Sequence, residues 1–293
     1  MVMGREHGSL RSWRQTNTAK LNTEGGNRRG AAPTDPGLAF RLVQTVVVVP
    51  TYQEAENIVR FLTEVRASMP SAKILIVDDN SPDGTGQLAE SIAIELGNIK
   101  VLHRIDKLGL GSAYRHGFSE VLSGRAFDGV CDVVVSMDCD FSHDPKTIPM
   151  LVERVGQGAD AVVGSRYVPG GGTVNWPLHR RLLSRWGNRY TGAVLGLHIR
   201  DCTSGFRAYR AASLGEITPT STSAEGYAFL TELVRRLDRG GYAVVEHPIT
   251  FVDREFGTSK MSAAIIAESM LLITRWAVAD GWARLRRREP EPH

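Results

Sequence analysis

Cysteine is scarce. The three present, Cys131, Cys139 and Cys202, show no C-x-x-C spacing in 293 residues. That excludes a disulfide framework and a cysteine-rich zinc site, and it fits a reduced cytosolic compartment. Excess charge is also lacking: 35 Lys and Arg against 32 Asp and Glu leave +3, too little for a dedicated nucleic-acid binder. No run reaches the roughly 18–20 uncharged apolar residues that cross a bilayer. The best, Ala263 to Ala279, is interrupted by Glu268 and Arg275. Met1 to Phe40 lacks the apolar centre of a signal peptide. The expectation is a chain that stays inside the cell and does not cross a membrane by itself.

What is present is globular texture, 42% hydrophobic with 30 Gly. Residues 1–40, with six Gly, six Lys or Arg and three acidic residues, read as a disordered tail. From Val43 strands alternate with amphipathic segments. Strands are expected at 45–49, 74–77, 99–103, 133–137, 160–164 and 242–252, and helices at 54–67, 85–96, 109–122 and 145–157. Uninterrupted runs such as Val46 to Val49 suit strands buried on both faces. The alternation predicts an α/β fold, a mostly parallel mixed sheet with helices on both faces. One domain is expected over 41–257, followed by a C-terminal amphipathic helix and basic tail over 258–293.

Ligands of such sheets bind beyond the carboxyl ends of the strands, and the chemically capable residues cluster there. Pro50 to Asn57 follows the first strand, and Asp78-Asp79-Asn80-Ser81 ends the second. Two adjacent carboxylates there need a donor or a cation nearby. The fourth strand runs into Asp138-Cys139-Asp140. Residues i and i+2 share a face in extended chain, so both carboxylates can converge on one hard cation. Gly164-Ser165-Arg166-Tyr167 ends a further strand, offering a guanidinium fork for an anion. Asp201 to Arg207 and Arg254 to Lys260 follow. Taken singly, their residues read as surface or cap positions.

The ordered series PTYQEAENI, VDDNSPDGT, KLGLGSAYRHGF, MDCDFSH, GSRYVPGGG, DCTSGFRAYR and FGTSK resembles the family 2 glycosyltransferases of GT-A, Rossmann-like fold. Within them it is most similar to the dolichyl- or polyprenyl-phosphate mannose synthases, over about residues 44–262. The resemblance implies a role for each matching residue. Pro50, Tyr52, Glu54 and Lys107 would line the donor-nucleotide site, with Asp78 and Asp79 near base and ribose. Asp138 and Asp140 would hold Mg2+ or Mn2+ with the donor diphosphate. Ser142 stands where relatives often carry a metal-contacting Gln. Arg166 and Arg180, with Arg254 and Lys260, would take the acceptor phosphate. Arg166 and Asp140 would then be the catalytic pair. The implied reaction is inverting transfer of mannose from GDP-mannose to polyprenyl phosphate. Alternatives stay open: another donor such as UDP-glucose, or a non-catalytic nucleotide-sugar binder partnering a membrane protein.

An isoprenoid acceptor implies peripheral attachment at the cytoplasmic face of a membrane. Leu182, Leu183, Trp186 and Tyr190 share one sector of a helix that starts at Leu178, beside a stripe of Arg181, Arg185 and Arg189. That is the pattern of an interfacial helix. A core-facing helix with a solvated basic side is the alternative. Arg284, Arg286, Arg287 and Arg288 add charge near the end of the chain.

Overall fold

The computed structural model describes residues 43–253 and 263–286. The expected tail over 1–40, Arg254, Lys260, Arg287 and Arg288 lie outside them. Nine strands occur among the described residues: β1 (Thr45–Thr51), β2 (Lys73–Asp78), β3 (Ile99–His103), β4 (Val133–Ser136), β5 (Ala161–Ser165), β6 (Gly172–Val174), β7 (Arg207–Arg210), β8 (Val244–Pro248) and β9 (Thr250–Val252). The helices are α1 (Ala55–Ser68), α2 (Thr85–Leu96), α3 (Leu110–Leu122), α4 (Ile148–Gly156), α5 (Leu178–Leu195), α6 (Ala211–Glu216), α7 (Gly226–Gly240) and α8 (Ala263–Arg286).

Seven strands form one sheet in the order β3-β2-β1-β4-β7-β5-β8, and β6 pairs with β9 in a second, two-stranded one. Every pairing is parallel except those of β7, which runs antiparallel between β4 and β5. The valine run of β1 explains why both faces are covered. Val47 and Val49 pack with Ile58, Phe61 and Leu62 of α1 and Leu151 of α4. Val46 and Val48 pack on the other face with Tyr114 and Phe118 of α3 and Phe229 of α7. Side chains alternate across a strand, so only an all-apolar strand can feed two cores. Gly117 lets α3 approach this sheet: a β-carbon there would lie 2.6 Å from a Val48 methyl.

Two departures from the expected elements have physical causes. The strand expected over 242–252 is broken at Ile249, and its halves join different sheets. Pro248 ends β8 because it has no N–H to donate to a ladder. The Ile249 N–H instead donates to the Ser165 carbonyl, and its own carbonyl accepts from Gly172. Strand β7 and helix α7 are absent from the expected set. In β7 a buried Arg207 conceals the strand, since its guanidinium is satisfied by the carbonyls of Cys202, Ser204 and Leu230. In α7 the signal is present, as Phe229, Leu230, Leu233, Val234 and Leu237 repeat at helical spacing and are all buried.

Phe118 is fully buried, stacked on Tyr114 at 5.4 Å and edge-on to Tyr209 at 6.0 Å. Truncating it to Ala should cost about 3–5 kcal/mol, read as a lower urea midpoint at unchanged slope. The exposed Leu182→Ala should shift stability by less than about 0.5 kcal/mol.

Candidate active site

The carboxyl ends of β1, β2 and β4 carry residues in the left-handed region that are not glycine: Gln53, Asn80 and Phe141, with φ of 57°, 56° and 56°. Such conformations persist only where the surroundings hold them. Here the Gln53 N–H donates to Ser81 Oγ, Asn80 Nδ2 donates to the Ile105 carbonyl, and Arg60 lies over the Phe141 ring at 4.2 Å. The strand ends are thus bent into three adjoining loops.

Two cavities meet at these loops. The larger, about 500 Å³, is lined by Pro50, Tyr52, Glu54, Asp79, Lys107, Gly109 and Glu225, among others. Lys107 Nζ sits 3.9 Å above the Tyr52 ring. The smaller, about 150 Å³, is lined by Ser142, His143, Arg166, Trp176, Arg180, Trp186 and Ser204, among others. Asp138, Asp140, Ala228 and Ser269 line both. The two carboxylates therefore stand on the boundary, with α8 covering both cavities through Ser269.

Asp78 and Asp79 differ in what they reach. Asp78 Oδ1 accepts from the Thr51 and Ser81 hydroxyls, and Oδ2 from the Ser81 N–H. It lies outside the lining of both cavities and ties the β1 loop to the β2 loop. Asp79 lines the larger cavity, where Arg104 donates to it at 2.5 Å and the Leu108 and Gly109 N–H groups at 3.2 Å. Arg104 also reaches Ser112, so this network fixes the loop that carries Lys107.

Asp140 is 6% exposed, and its Oδ1 accepts from the Ser142 N–H. The Ser142 hydroxyl is buried without a hydrogen-bond partner. Gly205 lets the loop before β7 close on Asp138, since a β-carbon there would lie 3.2 Å from Asp138 Oδ2. Ser136 secures the same loop by donating to the Gly205 carbonyl. Cys139 between the carboxylates is buried, and burial pushes its thiol well up. It remains a neutral thiol. Burial likewise holds the His143 imidazole below its usual range, outweighing the opposing pull of Asp140.

On the far side, Arg166 Nε and Nη2 donate to the two oxygens of Asp201 at 2.7 Å, and Nη2 also reaches Thr203. Asp201 is fully buried, so it is no surface or cap residue. Burial would raise its carboxyl, but Arg166 holds it below the ordinary aspartate range. One edge of the expected anion fork is therefore committed to a carboxylate. Arg180 Nη1 is paired with Asp253 at 2.9 Å, and its guanidinium stacks on Trp176 at 4.0 Å. Arg254 and Lys260 lie outside the described residues.

Helix α5 buries Asn188, Thr191 and Leu195. Leu178, Leu182, Leu183 and Trp186 are 46–66% exposed, and Arg181, Arg185 and Arg189 are exposed beside them. Tyr190, of the same expected sector, is instead half-buried, packs against the core that includes Ile273 and shares a hydrogen bond with Thr274, so the helix turns only part of that sector to solvent. Leu183 and Trp186 also line the smaller cavity, so its mouth is apolar. Sequence reasoning did not single out His143, Trp176, Arg104 or Glu225. Arg104 is betrayed only by the adjacent Asp78-Asp79 pair, which demands a cation, and nothing local marks the rest.

The chain thus has a mostly parallel sheet with two aspartates at the boundary of two cavities beyond its strand ends. Residues 46–218 match the glycosyl transferase family 2 model, and the chain belongs to that family. It is 44% identical over 246 residues to the undecaprenyl-phosphate mannosyltransferase of Micrococcus luteus, covering 84% of this chain and 99% of that one. It is 42% identical over 262 residues to the polyprenol monophosphomannose synthase of Mycolicibacterium smegmatis, covering 89% and 97%. In fold it is similar to glucosyl-3-phosphoglycerate synthase from Mycobacterium tuberculosis, crystallised with Mn2+, UDP and phosphoglyceric acid. The TM-score is 0.55 at 19% identity, covering 88% and 84%.

Asp201→Asn removes the charge of the buried carboxylate that accepts from both Nε and Nη2 of Arg166, which should cost about 3–5 kcal/mol. A depressed carboxyl contributes stability that is present above its unfolded value and lost as pH falls through its folded value. Acid titration of the melting temperature should therefore fall less steeply below about pH 4 in the variant.

Proposed function

We propose that the chain transfers mannose from GDP-mannose to polyprenyl phosphate, with inversion, at the cytoplasmic face of a membrane. The carrying observation is the pair Asp138 and Asp140 on the boundary of two unlike cavities. One is edged by Tyr52, Glu54 and Lys107 and suits a nucleoside diphosphate. The other combines Arg166 and Arg180 with an apolar mouth and suits a phosphate on a hydrocarbon chain. The names of the two mannosyltransferase relatives support mannosyl transfer to a polyprenyl phosphate.

The donor set of two carboxylates and the unpartnered Ser142 hydroxyl is all oxygen, which fits Mg2+ or Mn2+. No group of three or more His, Cys, Asp or Glu stands ready for a metal among the described residues. Asp138 and Asp140 would hold such an ion, which would supply charge stabilisation to the departing diphosphate, and neither needs to act as a base. A phosphate monoester has its second pKa at about 6 and is already anionic. Its oxygen bonds to the anomeric carbon as the bond from that carbon to the nucleoside diphosphate breaks. Attack opposite the leaving group inverts configuration. The task of Arg166 and Arg180 is to orient the attacking phosphate, and Asp201 and Trp176 hold the two guanidinium groups in place.

No helix among the described residues is long and apolar enough to cross a membrane. The exposed apolar and arginine faces of α5 support reversible attachment to an anionic leaflet, with each basic residue near the surface contributing about 1 kcal/mol.

Asp140→Asn should abolish mannosyl transfer to a short polyprenyl phosphate while leaving the melting temperature near that of the parent. Turnover within about tenfold of the parent would remove the metal role. A panel of GDP- and UDP-sugars in the same assay tests the donor, with GDP-mannose expected to be preferred. Leu182→Glu, on the exposed face of α5 and outside the cavity lining, should weaken binding to anionic liposomes and turnover on long-chain acceptor, and spare a short soluble acceptor. Equal losses on both acceptors would remove α5 from the membrane.

A further inference from the structure

Buried polar atoms in folded proteins nearly always have partners, and leaving one alone is costly. Among the described residues, nine buried side-chain nitrogen or oxygen atoms have none. Four of them belong to residues of the smaller cavity: Ser142 Oγ, His143 Nδ1, Trp176 Nε1 and Ser204 Oγ. Ser142 falls to the metal side. The other three remain unexplained by the diphosphate, the metal or the arginines.

They line the same cavity as Asp138, Asp140, Arg166 and Arg180. Ser204 precedes Gly205, where an added β-carbon would lie 3.2 Å from Asp138 Oδ2. His143 is edge-on to Phe251 at 5.0 Å, and Phe251 is edge-on to Trp176 at 5.1 Å. Trp176 in turn carries Arg180 on its face. The cavity thus has the paired carboxylates and the guanidinium groups as two ends, with the three atoms in the same lining. In the reaction proposed above, the hexose must lie between the same two ends, since one phosphate leaves its anomeric carbon as another arrives.

The chemistry of the three atoms fits a hexose better than a phosphate. Indole N–H only donates, a serine hydroxyl donates and accepts, and an imidazole nitrogen does either according to tautomer. Sugar hydroxyls also donate and accept, whereas a phosphate dianion only accepts and is already served by guanidinium groups. Aromatic rings of Phe251 and Trp176 offer apolar surface to the C–H faces of a sugar ring.

We propose that Ser204, His143 and Trp176 form the subsite that reads the hydroxyl groups of the transferred hexose, and so set donor-sugar specificity. This rests on the transferase reading above. A site built to hydrogen-bond a hydroxyl discriminates against the analogue lacking it, because its own buried groups are then left unpaired.

The test is calorimetric titration, with Mg2+ and without acceptor, of GDP, GDP-mannose and the four mono-deoxy mannose donors. The proteins are the parent, Ser204→Ala, His143→Gln and Trp176→Phe. At least one deoxy donor should bind the parent about tenfold more weakly than GDP-mannose. A variant should lose a similar factor on GDP-mannose, lose nothing further on the deoxy donor missing its partner, and keep its affinity for GDP. Deoxy donors that all bind the parent like GDP-mannose would overturn the subsite without needing any variant to fold. Losses that multiply in every combination would overturn it too. So would variants that bind GDP-mannose normally yet lose turnover, since their atoms would then serve the acceptor. A parent that binds another nucleotide-hexose but not GDP-mannose would refute the donor assignment alone, and the same series made from that sugar would decide the subsite.

Discussion

Two carboxylates at the end of one buried strand set the terms for everything around them. Asp138 is half-buried and Asp140 buried, and both line the two cavities beyond β4, where neighbouring like charges raise each other's cost of ionisation. The chain meets that constraint with geometry. The loop before β7 closes on Asp138 through Gly205 and is held by Ser136. The Ser142 N–H turns back onto Asp140.

The antiparallel strand β7 is central to this arrangement although it is only four residues long. It separates β4 from β5, so the carboxylates and Arg166 lie two strands apart, with the cavity between them. The Arg166–Asp201 pair then locks the end of β5 to the segment before β7. Because one edge of Arg166 is committed to Asp201, its guanidinium is held in one orientation before any ligand arrives. Preorganisation of this kind lowers the cost of binding an anion. Arg180 is less tightly held, since its partner Asp253 is one-third exposed.

Much of this was legible in the chain. The valine run of β1, the Asp pair ending β2 and the D-x-D ending β4 each announced a buried strand delivering polar residues to one edge. The helix at 85–96 and the strand at 99–103 fall where periodicity put them. What sequence could not carry was long-range partnership. Asp201 reads as a loop aspartate until Arg166, 35 residues earlier in the chain, is seen to need it. Asp78 and Asp79 look equivalent, yet one binds loops together while the other faces a cavity. Arg207 hides a strand because a charged residue at a buried position contradicts the alternation rule, and only three carbonyls from outside the strand resolve the contradiction. The apolar sector of α5 was readable, but the side it turns to solvent depended on where Asn188 and Thr191 were buried.

The central claim is that donor and acceptor phosphates meet at one point, the paired carboxylates. Paramagnetic relaxation of 31P resonances by Mn2+ tests it directly, using GDP and a short polyprenyl phosphate bound together. Strong relaxation of both sets of resonances is expected, lost from both in the Asp138→Asn, Asp140→Asn double variant. Relaxation of the GDP phosphates alone, with the polyprenyl phosphate bound but unaffected, would contradict it.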